Sequence, residues 1–123
     1  MSLPNVVNIA GVPHTVTYCD KPSEVDVFKR ESLWGQLDPW TKTIRIYKNG
    51  NPYASVLKII LHEMLHAYGC EWNIEHFYSR GASQEQREIV EQNTESTVNI
   101  FFDMLERNSW MEEIYAALGE EES

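Results

Sequence analysis

The chain has no apolar stretch of eighteen residues, so no membrane-spanning helix is expected and no membrane partner with it. Nor does its N-terminus show a basic segment followed by an apolar run, the pattern of a signal peptide. Cysteine is scarce: only Cys19 and Cys70 are present, and without a secretion signal they are expected as reduced thiols in a cytoplasmic protein rather than as a disulfide. Basic charge is also in short supply, with ten Lys and Arg dispersed among nineteen Asp and Glu and a net charge of −9. That balance argues against nucleic acid as the main partner, because phosphate backbones are met by clustered basic side chains. The run Glu120-Glu121-Glu122 reads as a solvated tail.

What is present fits one small domain, since 123 residues with 42% hydrophobic content can bury a single core. Its most informative residues are His62-Glu63-Met64-Leu65-His66, an HExxH motif. Residues four apart share a helix face, so His62 and His66 can serve one metal ion. Glu63 stands about 100° round the helix, where a carboxylate reaches a metal-activated water without occupying a ligand position. A core helix that happens to hold two histidines is the plain alternative. The motif, however, lies between Val56-Leu57-Lys58-Ile59-Ile60-Leu61 and Ala67-Tyr68, an apolar surround that predicts a buried helix. Burying two imidazoles and a carboxylate costs several kcal/mol unless they are hydrogen-bonded or hold a metal.

Around this helix the pattern predicts an α+β domain, a small antiparallel sheet packed on the HExxH helix with further C-terminal helices. Val12 to Tyr18 alternates as an opening strand, in which His14 is an ordinary member. Asp20 to Arg30 is polar and charged and reads as a loop with a short helical turn. Leu33 to Asp38 and Thr41 to Tyr47 read as a hairpin about the turn Asp38-Pro39-Trp40. Asn51 can cap a helix that opens at Pro52 and runs to about Tyr68. Gly69, on the histidine face, either ends this helix or leaves room for an incoming segment. Glu71 to Ala82 has no period and reads as an irregular loop near the site. Ser83 with Gln86 opens a long helix, and Ser109 with Glu112 a last one expected to stop at Gly119.

A catalytic zinc takes three protein ligands and keeps one position open. In the long helix Val98, Phe101, Phe102 and Leu105 form an apolar stripe, and Glu91 projects about 20° from Val98, against about 60° for Glu95 and 80° for Glu88. Glu91 is therefore the expected third ligand, with Glu95 its competitor and otherwise the acceptor that orients His62 or His66. His76 ranks third. The metzincin completion HExxHxxGxxH matches at Gly69 but fails at Trp72, whose indole is a donor only. Cys70 reads as a core residue rather than a ligand.

The turn Gly35-Gln36-Leu37-Asp38, the strand Thr43-Ile44-Arg45-Ile46, the helix Leu57 to Ala67 and the helix ending Met104-Leu105-Glu106-Arg107-Asn108 together resemble small gluzincin-like proteins of bacteria and phages related to the SprT-like and ImmA/IrrE metallopeptidase families. The resemblance spans roughly Trp34 to Asn108 and implies a minimal zincin-like core, with a glutamate of the next helix as third ligand. Matched from the Asn108 end, that glutamate again falls on Glu91. The expected function is zinc-dependent hydrolysis of a peptide bond with Glu63 as general base and a protein or peptide as substrate. A substrate is expected to pair with the edge of the strand Thr41 to Tyr47, and Tyr68, His76, Tyr78 and Arg80 are the candidates for stabilising the oxyanion. The alternative is a catalytically silent binding or regulatory module of a phage or mobile element, whose acidity would suit a basic partner.

Overall fold

The computed structural model describes residues 3–26 and 34–122 and is α+β, with a four-stranded sheet and three helices. Strands β1 (Val6–Ile9) and β2 (Val12–Cys19) form a hairpin. Its turn, Ala10-Gly11, takes positive φ at both residues, 54° and 87°, and is fastened by the Gly11 amide donating to Asn8 Oδ1 at 2.7 Å. A second hairpin joins β3 (Gly35–Asp38) to β4 (Thr43–Tyr47). Asp38 Oδ1 accepts from the Trp40 amide at 3.0 Å and so makes its turn. The part of the loop and strand predictions that falls on 27–33 lies outside the described residues.

The sheet runs β1-β2-β4-β3, and β2 and β4 are parallel. It is thus mixed, not wholly antiparallel as the pattern suggested. The reason lies in burial: β4 carries Ile44 and Ile46, both fully buried, and belongs in the sheet interior, whereas β3 is half-buried throughout and takes the rim. The hairpin therefore folds β4 inward beside β2 rather than laying β3 there.

On the Ile44 and Ile46 face lies α1 (Tyr53–Glu71), whose Val56 and Ile60 complete the core with Val16. From Ile59 to Glu71 no residue of α1 is fully exposed, as its apolar sequence predicts. The start of α1 differs from expectation. Pro52 itself occupies the N-cap and its carbonyl accepts from the Val56 amide at 3.1 Å, while Asn51 makes no cap. The helix also passes Gly69 and ends at Glu71, where Lys42 Nζ of the β3–β4 turn meets Glu71 Oε1 at 2.5 Å.

The long helix α2 (Gln84–Arg107) opens with the predicted capping box, the Gln86 amide donating to Ser83 Oγ at 3.2 Å and the Ser83 amide to Gln86 Oε1 at 3.0 Å. It packs on α1 through Thr94 and Val98, its only buried residues. The stripe beyond them, Phe101 and Leu105, is exposed. A 3-10 turn over Ser109–Met111 leads into α3 (Glu112–Glu122). Ser109 is the first residue of that turn and so cannot act as an extended N-cap for α3. Gly119 lies inside α3 and does not stop it. Both cysteines are free thiols, Cys19 buried and Cys70 half-buried.

Candidate metal centre

His62, Glu63 and His66 lie on the face of α1 that looks into an open groove between β3, α2 and the 78–82 segment. One ligand atom from each of the three falls within 4.8 Å of the others. Glu91 comes from α2, three residues before the buried Thr94 and seven before Val98, which fixes its phase toward α1. Its two carboxylate oxygens divide between the imidazoles: Oε2 is 2.8 Å from Nε2 of His62, and Oε1 is 2.8 Å from Nε2 of His66. The first approach is a hydrogen bond. The second has the distance of an ion pair without hydrogen-bond alignment, so Nε2 of His66 is buried with no hydrogen-bond partner.

The tautomer of His66 follows from its other nitrogen. Nδ1 is 2.7 Å from the Phe77 carbonyl, which can only accept, so Nδ1 carries a proton and a neutral ring keeps its lone pair on Nε2. That carbonyl is delivered by a reversal of the chain after α1. Asn73 takes φ of 55°, the Ile74 amide donates to the Gly69 carbonyl at 2.8 Å, and Phe77 and Tyr78 then fold back over the helix. Asn93 Nδ2 of α2 donates to the His76 carbonyl at 3.2 Å and pins the segment from the other side. Gly69 is what lets it close in, because a Cβ there would stand 2.9 Å from both Cβ and N of Tyr78.

Glu63 is 5% exposed, and its Oε2 has no hydrogen-bond partner. Burial pushes its carboxyl above the usual range, against the pull of His66 and His62. Its stem rests against β3, where a Cβ on Gly35 would come within 3.0 Å of Glu63 Cγ. For His66, burial lowers the pKa, but the adjoining Glu91 and Glu63 carboxylates and the Phe77 carbonyl outweigh it and carry the group up to about 9. Burial likewise raises Glu91, yet the two imidazoles hold it well below the usual carboxylate range.

The structure thus brings together His62, Glu63, His66 and Glu91. Glu95 lines the same groove but hydrogen-bonds to neither imidazole; the acceptor that orients His66 is the Phe77 carbonyl instead. His76 is outside the cluster, its ring packed edge-on against Phe77. Of the four candidates for an oxyanion donor, Tyr78 and Arg80 line the groove, whereas Tyr68 packs against the Trp72 ring. The strand expected to receive substrate, β4, is bonded on both sides by β2 and β3, so the strand at the rim of the groove is β3. Sequence reasoning missed Gly35 and the Phe77 carbonyl. A glycine within a strand pattern signals close backbone approach, and that signal was present at Gly35; a backbone carbonyl leaves none.

The donor set suits a divalent cation. Two imidazole nitrogens and a carboxylate are a standard zinc-ligand set, and the buried Glu63 oxygen without a hydrogen-bond partner beside them is the condition that bound metal and water would relieve. No family model, curated protein or solved structure matches the chain.

Proposed function

We propose that the protein is a zinc-dependent metallopeptidase of a minimal zincin-like fold, akin to the SprT-like and ImmA/IrrE families, with His62, His66 and Glu91 as ligands and Glu63 as general base. The observation that carries this reading is the convergence of both Nε2 atoms on the Glu91 carboxylate beside a buried, unpartnered Glu63 oxygen. When bound, zinc supplies Lewis acidity to a water and to the substrate carbonyl.

The chain's own residues do the rest. An extended peptide lies in the groove beside β3, with its scissile carbonyl above the two imidazoles. Glu63, whose pKa is raised by burial, takes a proton from the attacking water at Oε2 as the new C–O bond forms. It returns that proton to the amine as the C–N bond breaks, so the carboxylate is regenerated. The Phe77 carbonyl keeps Nδ1 of His66 protonated and Nε2 available throughout. Tyr78 and Arg80, which line the groove, are the donors assigned to the developing oxyanion.

Metal analysis of the purified protein, together with cleavage of a mixed peptide library, tests the reading. Stoichiometric zinc and cleavage that Glu63→Gln abolishes without loss of zinc support it; cleavage unaltered by Glu63→Gln sinks it. A catalytically silent binding module is the second reading, favoured by the uncovered apolar surface on α2 and α3. Retained zinc and unchanged biological activity in Glu63→Gln would select it.

A further inference from the structure

Along the groove that holds the two imidazoles, α1 and α2 run in opposite directions: Lys58 Nζ lies 5.3 Å over the Phe102 ring, while further along α1 His62 and His66 meet Glu91. The turn of α2 that precedes Glu91 therefore lies toward Cys70, at the far end of the histidine face. Four basic side chains line the groove, Lys42, Lys58, Arg80 and Arg87. Three of them are engaged. Lys42 Nζ meets Glu71 Oε1 at 2.5 Å, Lys58 lies over Phe102, and Arg80 Nη2 donates to Cys70 Sγ at 3.9 Å. The exposed guanidinium of Arg87 has no hydrogen bond, ion pair or ring contact among the described residues.

Its place on α2 explains this. A helical arginine finds a carboxylate three or four residues away, and for Arg87 those positions hold Ser83, Gln84, Val90 and Glu91. Glu91 is the one acid among them, and each of its oxygens already stands 2.8 Å from an imidazole. Glu88, which lines the same groove, accepts instead from Gln84 Nε2 at 3.4 Å. Arg87 is thus one turn from Glu91, about 40° from it around the helix, with its charge uncommitted. The contact between Arg80 and Cys70 places a second guanidinium at the same end of the groove.

We propose that the Cys70 end of the groove is a subsite for a carboxylate of the substrate, which Arg87 takes as a charge-assisted pair while Arg80 adds positive potential. The proposal rests on the metallopeptidase reading and gives it a substrate class: peptides that carry a carboxylate beyond the His66 side of the scissile bond, as an acidic side chain or as the chain's own C-terminus. The chain as a whole carries a charge of −9, so its overall field does not draw in an acidic peptide; a preference for one comes from this local contact. Arg87 lies away from the reacting carbonyl and holds ground state and transition state alike, so its contribution falls on KM rather than kcat.

The probes are peptide libraries identical but for one scanned position, held by glutamate, glutamine or lysine, each made with a free and with an amidated C-terminus. The zinc-loaded protein is expected to cleave the carboxylate-bearing peptides with kcat/KM about tenfold higher, through KM, the effect of one charge-assisted hydrogen bond. Loss of the preference on amidation identifies the carboxylate as the chain terminus; a preference that follows the glutamate position identifies it as a side chain. Arg87→Gln should remove the preference and leave cleavage of the glutamine peptides unchanged, and Arg87→Glu should turn it toward lysine. Equal cleavage of all three libraries, or a preference that Arg87→Glu leaves in place, overturns the subsite while the peptidase reading stands. Fluorescence anisotropy of the same peptides on the Glu63→Gln protein separates the two ideas from the other side. If the wild type cleaves none of the peptides, the peptidase reading fails; the subsite then stands only if the acidic peptides bind more tightly and Arg87→Glu inverts that order.

Discussion

The carbonyl oxygen of Phe77 stands 2.7 Å from Nδ1 of His66, and the bare Cα of Gly69 is what admits it. A methyl group at Gly69 would meet Tyr78 Cβ and N at 2.9 Å and the Phe77 carbonyl carbon at 3.0 Å. Two of these three atoms are backbone, so the returning segment itself must move. Gly69→Ala is therefore expected to lower zinc affinity about 10- to 100-fold, the usual consequence of losing the group that orients a histidine ligand. Competition with a chromophoric chelator measures it. An affinity equal to wild type would show that the Phe77 carbonyl does not tune the ligand.

The same reasoning applies to Gly35, with a different expected result. A Cβ on Gly35 would stand 2.8 Å from Ile59 Cγ2 and 3.0 Å from Glu63 Cγ. Gly35→Ala presses on Glu63, the proposed general base, and leaves the Phe77 support of His66 untouched. Peptide turnover should fall by about 100-fold, as for a displacement of the order of an ångström at a reacting group, with zinc content near one per chain. Loss of zinc in this variant would mean that β3 supports the ligands and not only the base.

Glu91 and Glu95 were close competitors on helix phase, and they are now separable by contact. Glu91→Ala removes the carboxylate that touches both imidazoles and is expected to abolish stoichiometric zinc; Glu95→Ala removes an exposed side chain that meets neither. Zinc measured by atomic emission after dialysis should be near zero in the first and unchanged in the second. The reverse pattern would move the third ligand one turn along α2.

Much of this arrangement could be read from residue patterns because burial writes itself into period. The alternation around Ile44 and Ile46, the apolar surround of the motif helix and the Ser83–Gln86 box each have one dominant local cause. That Glu91 faces the two imidazoles was legible because Val98 lies seven residues away on the same stripe. The order of the sheet was not, since alternation says which face a strand buries but not which neighbour it takes, and so β4 was read as an edge. The α2 stripe was misleading beyond Val98 for a related reason: Phe101 and Leu105 have a core-like period but no element above them. The Phe77 carbonyl left no trace because any residue supplies one.

The metal-free protein should lose stability as pH rises, and the cause can be assigned. His66 ionises at about 9 in the folded chain, above the value near 6.5 of an ordinary imidazole, because the Glu91 and Glu63 carboxylates and the Phe77 carbonyl outweigh its burial. A group with a raised folded pKa contributes its full stabilisation below its unfolded pKa and surrenders it as pH climbs through the folded one. The decline is therefore expected between about pH 6.5 and 9, with roughly 3 kcal/mol as its upper bound. Glu91 acts in the opposite window: its depressed pKa gives stability at neutral pH that is lost on acidification through the carboxylate range. Urea unfolding in the presence of a chelator across pH 6 to 9 would show the slope. Glu91→Gln keeps the shape of the side chain but removes the charge beside both imidazoles, and so should flatten it. With zinc bound the Nε2 lone pair is engaged and the proton displaced, so the decline should vanish over the same range. A slope that is identical in chelator, in zinc and in Glu91→Gln would assign it to groups outside this cluster.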